Sequence, residues 1–237
     1  MLIDESILNS LQDPRAYSLL RWQRFLANGF VPNVFYDIGA NDPFSIEGQQ
    51  VVYKPLMPQT QFFLFEAMAK HEEQLLRSNE PYVIAVLGEE EASDVIFYES
   101  KVFAPGTGDS YYLENTAAYA ADAVVPTRHT TRRLDNVIEQ CGWPLPDFMK
   151  LDTQGSELDI LRGAPHCLAH ARGVQIECNV LHYNQGAPLL PDVIVFMQAA
   201  GFRVYDILQQ HFNQNRELLQ VDLLFVRAEL FNDQPFA

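Results

Sequence analysis

Cysteine is scarce in this chain of 237 residues: Cys141, Cys167 and Cys178 are odd in number, far apart and in no CxxC pair. That excludes a disulfide framework and a cysteine-rich zinc site, and fits three reduced thiols. Basic residues are also few, 16 Lys and Arg against 31 Asp and Glu, for a formal charge of −15. Such a balance repels phosphate backbones and anionic lipid surfaces, so nucleic acid is not an expected partner. The densest cationic stretch, Arg128, His129, Arg132 and Arg133, reads as a solvated strand-to-helix connection. No run approaches the ~18 apolar residues of a membrane span. Acids at Asp4 and Glu5, where a secretory signal would carry positive charge, make a cytoplasmic location the expectation.

What is present is an ordinary globular mixture, 48% hydrophobic and 20% charged, long enough for one core with an appendage. Apolar positions from Ile7 to Leu26 follow helical spacing and break at Asp13-Pro14, which predicts two short helices in an extension over residues 1–30. Compact apolar runs then predict strands at Val31 to Ile38, Gln61 to Phe65, Pro81 to Leu87, Asp147 to Leu151 and Gly173 to Val180. Helical patterns lie between them at Met68 to Arg77, Leu134 to Gln140 and Ser156 to Leu161, with Gly163 as a stop. Pro191 to Ala200 adds a helix, and Phe202 to Leu208 with Leu219 to Val226 form a closing hairpin. Alternating strands and helices imply a mostly parallel sheet with helices on both faces, a Rossmann-like α/β domain over residues 31–237. Ser100 to Thr131 departs from the rhythm and is placed as a lid-like insertion.

Val34-Phe35-Tyr36-Asp37-Ile38-Gly39-Ala40-Asn41-Asp42-Pro43 is a strand running into a glycine turn. In an open α/β sheet a nucleotide-like ligand settles at the carboxyl ends of the strands, and Gly39 lets the backbone approach it. Glu66 ends the second strand, where an acid can accept both ribose hydroxyls of an adenosine. A dinucleotide needs a G-x-G-x-x-G turn for its pyrophosphate, and here only the first glycine exists, bracketed by Asp37 and Asp42. S-adenosylmethionine has no phosphate and carries a sulfonium and an ammonium, so acids beside the turn favour it. Asp42 also fits as the cap of a helix beginning at Pro43.

A second segment places Asp152 at the end of the fourth strand, facing the same crevice. There it could orient a substrate hydroxyl, contact the donor, share a divalent cation with Glu177, or cap the helix near Ser156. No specific metal-binding motif supports the cation: His166 and His170 stand four apart, but without the HExxH pattern. Transfer to oxygen requires a general base, and His182, just beyond the fifth strand, is the candidate beside Asp152; as an alternative it is a partly exposed loop histidine. Tyr111, Tyr112 and Tyr119 in the insertion are candidates for an acceptor pocket or for ordinary packing.

Phe35 to Pro43 together with Lys150-Leu151-Asp152-Thr153-Gln154-Gly155-Ser156-Glu157-Leu158 resembles the FkbM family of methyltransferases. The resemblance extends through Leu161 to Ala164 and Val174 to Glu177 and covers about residues 31 to 227. It implies a seven-stranded class I methyltransferase sheet, S-adenosylmethionine as cofactor, and transfer to a hydroxyl of a sugar or natural-product-like small molecule. By position it implies that Asp37, Gly39 and Asn41 line the methionine part and Glu66 the ribose. The chain has Ala67 where the family commonly has Pro, a departure at that turn. Two other classes stand beside this one: a catalytically inactive binding protein on the same fold, and a nicotinamide-dependent oxidoreductase, which lacks its phosphate loop here. The amphipathic N-terminal helices fit either a homo-oligomer contact or closure over the site.

Overall fold

The computed structural model describes residues 14–102 and 107–230. The first of the two helices expected near the N-terminus, and the end of the chain beyond residue 230, lie outside the described residues. In chain order the elements are α1 (Pro14–Ala27), β1 (Val34–Ile38), α2 (Tyr53–Leu56), β2 (Gln61–Glu66), α3 (Glu72–Ser78), β3 (Tyr82–Ile84), β4 (Asp94–Ser100), β5 (Val124–Thr130), α4 (Leu134–Cys141), β6 (Phe148–Leu151), α5 (Glu157–Arg162), α6 (Pro165–His170), β7 (Gly173–Asn179), α7 (Leu190–Ala199), β8 (Phe202–Phe212) and β9 (Leu218–Arg227).

Seven strands form one sheet in the order β3-β2-β1-β6-β7-β9-β8. The pairs β1–β2, β1–β6, β2–β3 and β6–β7 are parallel, while β9 runs antiparallel to both β7 and β8. The closing hairpin thus slots its second strand between β7 and β8. Connections through helices keep the first five strands parallel and put their carboxyl ends on one edge, where the order reverses between β1 and β6.

Strand alternation sends two sets of side chains to two cores. On one face Tyr36, Ile38, Phe65, Met149, Leu151, Val174 and Ile176 pack against α4 to α7. On the other, Phe35, Phe62 and Phe148 pack with Trp22 and Phe25 of α1. The Trp22 ring lies 5.0 Å from Phe148 and 5.3 Å from Tyr53. Burying aromatics of this size stabilises by about 2–3 kcal/mol each, which ties the helix to the sheet.

Three local expectations differ from what forms. The third strand ends at Ile84 rather than Leu87, because Val86 O accepts the Arg132 N–H at 2.8 Å and Leu87 bridges Arg132, drawing the chain off the sheet edge. The insertion ends in a regular strand: β5 pairs antiparallel with β4, the strand that leads into it, from Asp94↔Thr130 to Ser100↔Val124 as a separate two-stranded sheet. No helix starts at Pro43. Asp42 Oδ1 accepts the Phe44 N–H at 2.9 Å and Pro43 O accepts Gln50 N–H, so residues 42–52 form turns that close over the strand ends.

Candidate functional site

The turn after β1 is pinned from both sides. Gly39 and Ala40 each donate their N–H to Phe65 O at 3.0 Å, and the Asp152 N–H donates to Ile38 O at 3.0 Å. Gly39 has φ +83°, and a Cβ there would stand 1.9 Å from the Asp152 carbonyl oxygen, so only glycine lets β1 and β6 end this close together. Asn41 follows in the left-handed region at φ 44° and donates its N–H to Glu66 Oε2 at 2.9 Å. Glu66 Oε1 accepts the Met68 N–H at 3.0 Å. A carboxylate held by two backbone donors at a strand end is fixed in place, and Glu66 lines the cavity.

On the α1 face the strands change from aromatic to ionic as they approach the carboxyl edge. Phe35, Phe62 and Phe148 give way to Asp37, Lys150 and Gln175, which sit side by side in register. Lys150 Nζ lies 3.2 Å from Asp37 Oδ1 and 3.4 Å from Asp152 Oδ2. Burial opposes the lysine's charge, but the two carboxylates outweigh it and hold its pKa well above the ordinary value, so it stays a cation and is no base. Gln175 accepts Tyr53 Oη–H at 3.1 Å and donates to Asp222 Oδ2 at 3.1 Å. Gln154, left-handed at φ 57°, donates to Asp152 at 3.3 Å and to Glu177 Oε2 at 2.8 Å. Glu157 closes the turn after β6 by accepting the Thr153 and Gly155 N–H groups at 2.8 and 3.1 Å, and burial pushes its carboxyl up to about 7 despite these bonds.

Part of this network lines a cavity of about 310 Å³. Asp37, Gly39, Asn41, Glu66 and Asp152 all line it. Among the described residues six carboxylates line it, those of Asp37, Glu47, Glu66, Asp109, Asp152 and Glu177, against the one Lys150. Its other end is apolar, with Ala67, Val86, Phe97 and Tyr111. A pyrophosphate is repelled by that charge set, whereas a ligand with a flat base at one end, a ribose at Glu66 and a cationic centre at the other matches it. S-adenosylmethionine has those three parts in that order, so the residues present fit it.

Among the lining residues not singled out from the sequence are His71 and Asp109. His71, in the 3₁₀ turn Ala69–His71, is buried, and burial lowers its pKa, leaving it neutral. Asp109 of the insertion pairs with Lys70 and accepts the Ser100 N–H at 2.9 Å and Tyr119 Oη–H at 2.8 Å, fastening the insertion to the cavity. Neither stands in a local pattern, since each reaches the cavity through contacts with another element. Tyr111 lines the cavity, while Tyr112 donates to Asp159 at 2.7 Å and Tyr119 to Asp109.

His182 is exposed, lies outside the lining, and offers its carbonyl to Asn115 Nδ2 at 2.7 Å. His166 and His170 have separate partners, Asp135 at 3.4 Å and Pro146 O at 3.1 Å. In the cationic stretch, Glu91 takes contacts from Arg132 and from the Arg133 N–H. No helix among the described residues is long and apolar enough to cross a membrane.

The strand order, the mainly parallel sheet closed by an antiparallel hairpin, and a cavity at the β1 glycine turn with an acid ending β2 define a Rossmann-like fold of the class I methyltransferase type. Within that class, residues 37–204 match the family model for the methyltransferase FkbM domain, and the chain belongs to that family. Among solved structures it is similar to a methyltransferase FkbM from Methylobacillus flagellatus, with 14% identity, TM-score 0.52, and coverage of 93% of this chain and 57% of that one. The chain therefore spans just over half the length of that protein. It is also similar to magnesium protoporphyrin IX methyltransferase from Synechocystis, with 10% identity, TM-score 0.47, and coverage of 89% and 77%. No curated protein matches it in sequence.

Proposed function

We propose that this chain transfers the methyl group of S-adenosylmethionine to a hydroxyl oxygen of a sugar or natural-product-like small molecule. The observation that carries the donor assignment is Glu66, fixed by the Asn41 and Met68 N–H groups on the wall of an acid-lined cavity. Bound there, S-adenosylmethionine supplies an electrophilic methyl on a sulfonium. Glu66 accepts the ribose hydroxyls, the Gly39–Asn41 backbone and Asp37 line the methionine part, and Lys150 keeps Asp37 and Asp152 in position. Asp152, half-exposed at the cavity wall, is the group that orients the acceptor hydroxyl and takes its proton. The oxygen acceptor rests on the resemblance to the family and on this carboxylate.

Calorimetric titration tests the donor site. Wild-type protein is expected to bind S-adenosylmethionine and S-adenosylhomocysteine and not NAD, and Glu66→Ala and Asp37→Asn each to weaken binding by at least about tenfold, or ~1.4 kcal/mol. Folded wild-type protein that binds neither would leave the binding-protein alternative in front. The base is decided by turnover once an acceptor is found. Asp152→Asn is expected to lower kcat by about 10²–10⁴-fold, as loss of a general base does, with His182→Ala near wild type. The reverse pattern would assign the proton to His182.

A further inference from the structure

We infer that Glu177, His211 and Asp222 form a binding site for one divalent cation of the manganese class, on the α1 face of the sheet beside the donor cavity. One donor atom from each residue can be chosen so that all lie within 4.8 Å of one another. They come from three adjacent strands, β7, β8 and β9, and are brought together by register rather than by sequence. Glu177 pairs with Asp222, which pairs with Gln209; the next rung is Asn179, Gln220 and His211. Paired residues of antiparallel strands rise from the same face, as do residues two apart, so one polar patch spans both rungs.

The donors are already oriented. Gln154 holds Glu177 Oε2 at 2.8 Å and Gln175 holds Asp222 Oδ2 at 3.1 Å, leaving the second oxygen of each carboxylate for another partner. Amides that bind the outer oxygen of a ligating carboxylate are the usual support of a metal site. His211 Nε2 stands 3.9 Å from Asp222 Oδ1, too far for a hydrogen bond but within the ~4.4 Å that two ligands at about 2.2 Å from one ion can span. Lys150 makes its ion pairs with Asp37 and Asp152; its charge also acts on Glu177 and Asp222, but it forms an ion pair with neither.

In the rung that carries His211, Asn179 and Gln220 are 4% and 6% exposed, yet Asn179 Oδ1 and Gln220 Nε2 have no hydrogen-bond partner. These two amides line neither cavity and are not ligands of the proposed ion. The three donors line a small second cavity walled also by Lys150 and Asp152, and Glu177 and Asp152 face both cavities. Two carboxylates with one imidazole suit a manganese-type ion better than a thiolate-seeking one. A cation there would lower the pKa of an acceptor hydroxyl. That role rests on the oxygen-acceptor proposal; the binding site does not.

Manganese itself is the probe, titrated into chelator-treated full-length protein and followed by the loss of the free-ion electron paramagnetic resonance signal. One ion per chain is expected for the wild type. Asp222→Asn and His211→Ala should each weaken it by at least about tenfold, in line with the 10–100-fold effect of disturbing a metal's surroundings. Neither variant empties the apolar core, and unfolding curves of the metal-free proteins verify that both are folded. No bound ion, or equal affinity in the wild type and both folded variants, would overturn the site. Titration with S-adenosylhomocysteine on the same samples reports the donor cavity separately, so failure of one reading is visible beside success of the other.

Discussion

Gly39→Ala is expected to abolish donor binding and to lower the melting temperature by roughly 6–12 °C, the shift that about 3 kcal/mol produces in a domain of this size. Two costs add. The residue sits at φ +83°, where a non-glycine side chain costs about 1–2 kcal/mol. A Cβ would also lie 1.9 Å from the Asp152 carbonyl oxygen and 2.8 Å from its carbon. Those atoms are backbone, tied to Ile38 O through the Asp152 N–H, and no rotamer change relieves the overlap. The ends of β1 and β6 must part at the floor of the cavity, which is where the donor would rest. Gly142→Ala is the control. Gly142 also has positive φ, at +66°, but nothing within 4 Å of the added carbon, so it should lose only the backbone term and keep donor binding. Equal losses in the two variants, or retained binding in Gly39→Ala, would show that the close approach of β1 to β6 does not shape the site.

Lys150→Met should cost about 3–5 kcal/mol at pH 7.5, the penalty for leaving a buried charge without its partner. Asp37 keeps only 2% of its side chain exposed and has Lys150 as its countercharge at 3.2 Å. In the wild type the raised pKa of Lys150 contributes stability that is fully present below about 10.5, so it is intact across neutral pH. In the variant, Asp37 is a buried carboxyl whose pKa, already raised by burial from 3.8, loses the lysine that opposed the rise. A raised carboxyl pKa costs stability as pH climbs above the unfolded value, so the deficit should grow from pH 4 to neutrality and shrink on acidification. Adding Asp37→Asn to Lys150→Met should recover a large part of the loss. Denaturant unfolding of the two single variants and the double variant measures this coupling. Additive losses with a flat pH profile would mean that the pair contributes little and that Lys150 acts only by packing.

The parts of the fold that local pattern encodes were legible in advance. The apolar runs at Val34–Ile38, Gln61–Glu66, Phe148–Leu151 and Gly173–Asn179 are buried parallel strands, and Phe202–Phe212 with Leu218–Arg227 pair as a hairpin. The β4–β5 pair was not legible, because Asp94–Ser100 and Val124–Thr130 are half-exposed, mixed in polarity, and find each other across more than twenty residues. Asp42-Pro43 looked like a helix start because those residue types suit one, but the Asp42 side chain and Pro43 carbonyl are used to build turns. Glu66 could be placed at a strand end from sequence, yet its two backbone donors come from Asn41 and Met68 and exist only once β1 and β2 are paired.

By itself the amino-acid sequence determined a Rossmann-like sheet, a single-glycine turn bracketed by acids, and hence a methyl donor in place of a dinucleotide. These follow from periodicity, backbone freedom and charge over a few consecutive residues. Only the tertiary structure decided that His71 and Asp109 face the cavity, that His182 does not, and that Glu177, His211 and Asp222 converge. Strand order and register bring together side chains far apart in the chain, and no local pattern records which rung of a distant strand each will meet.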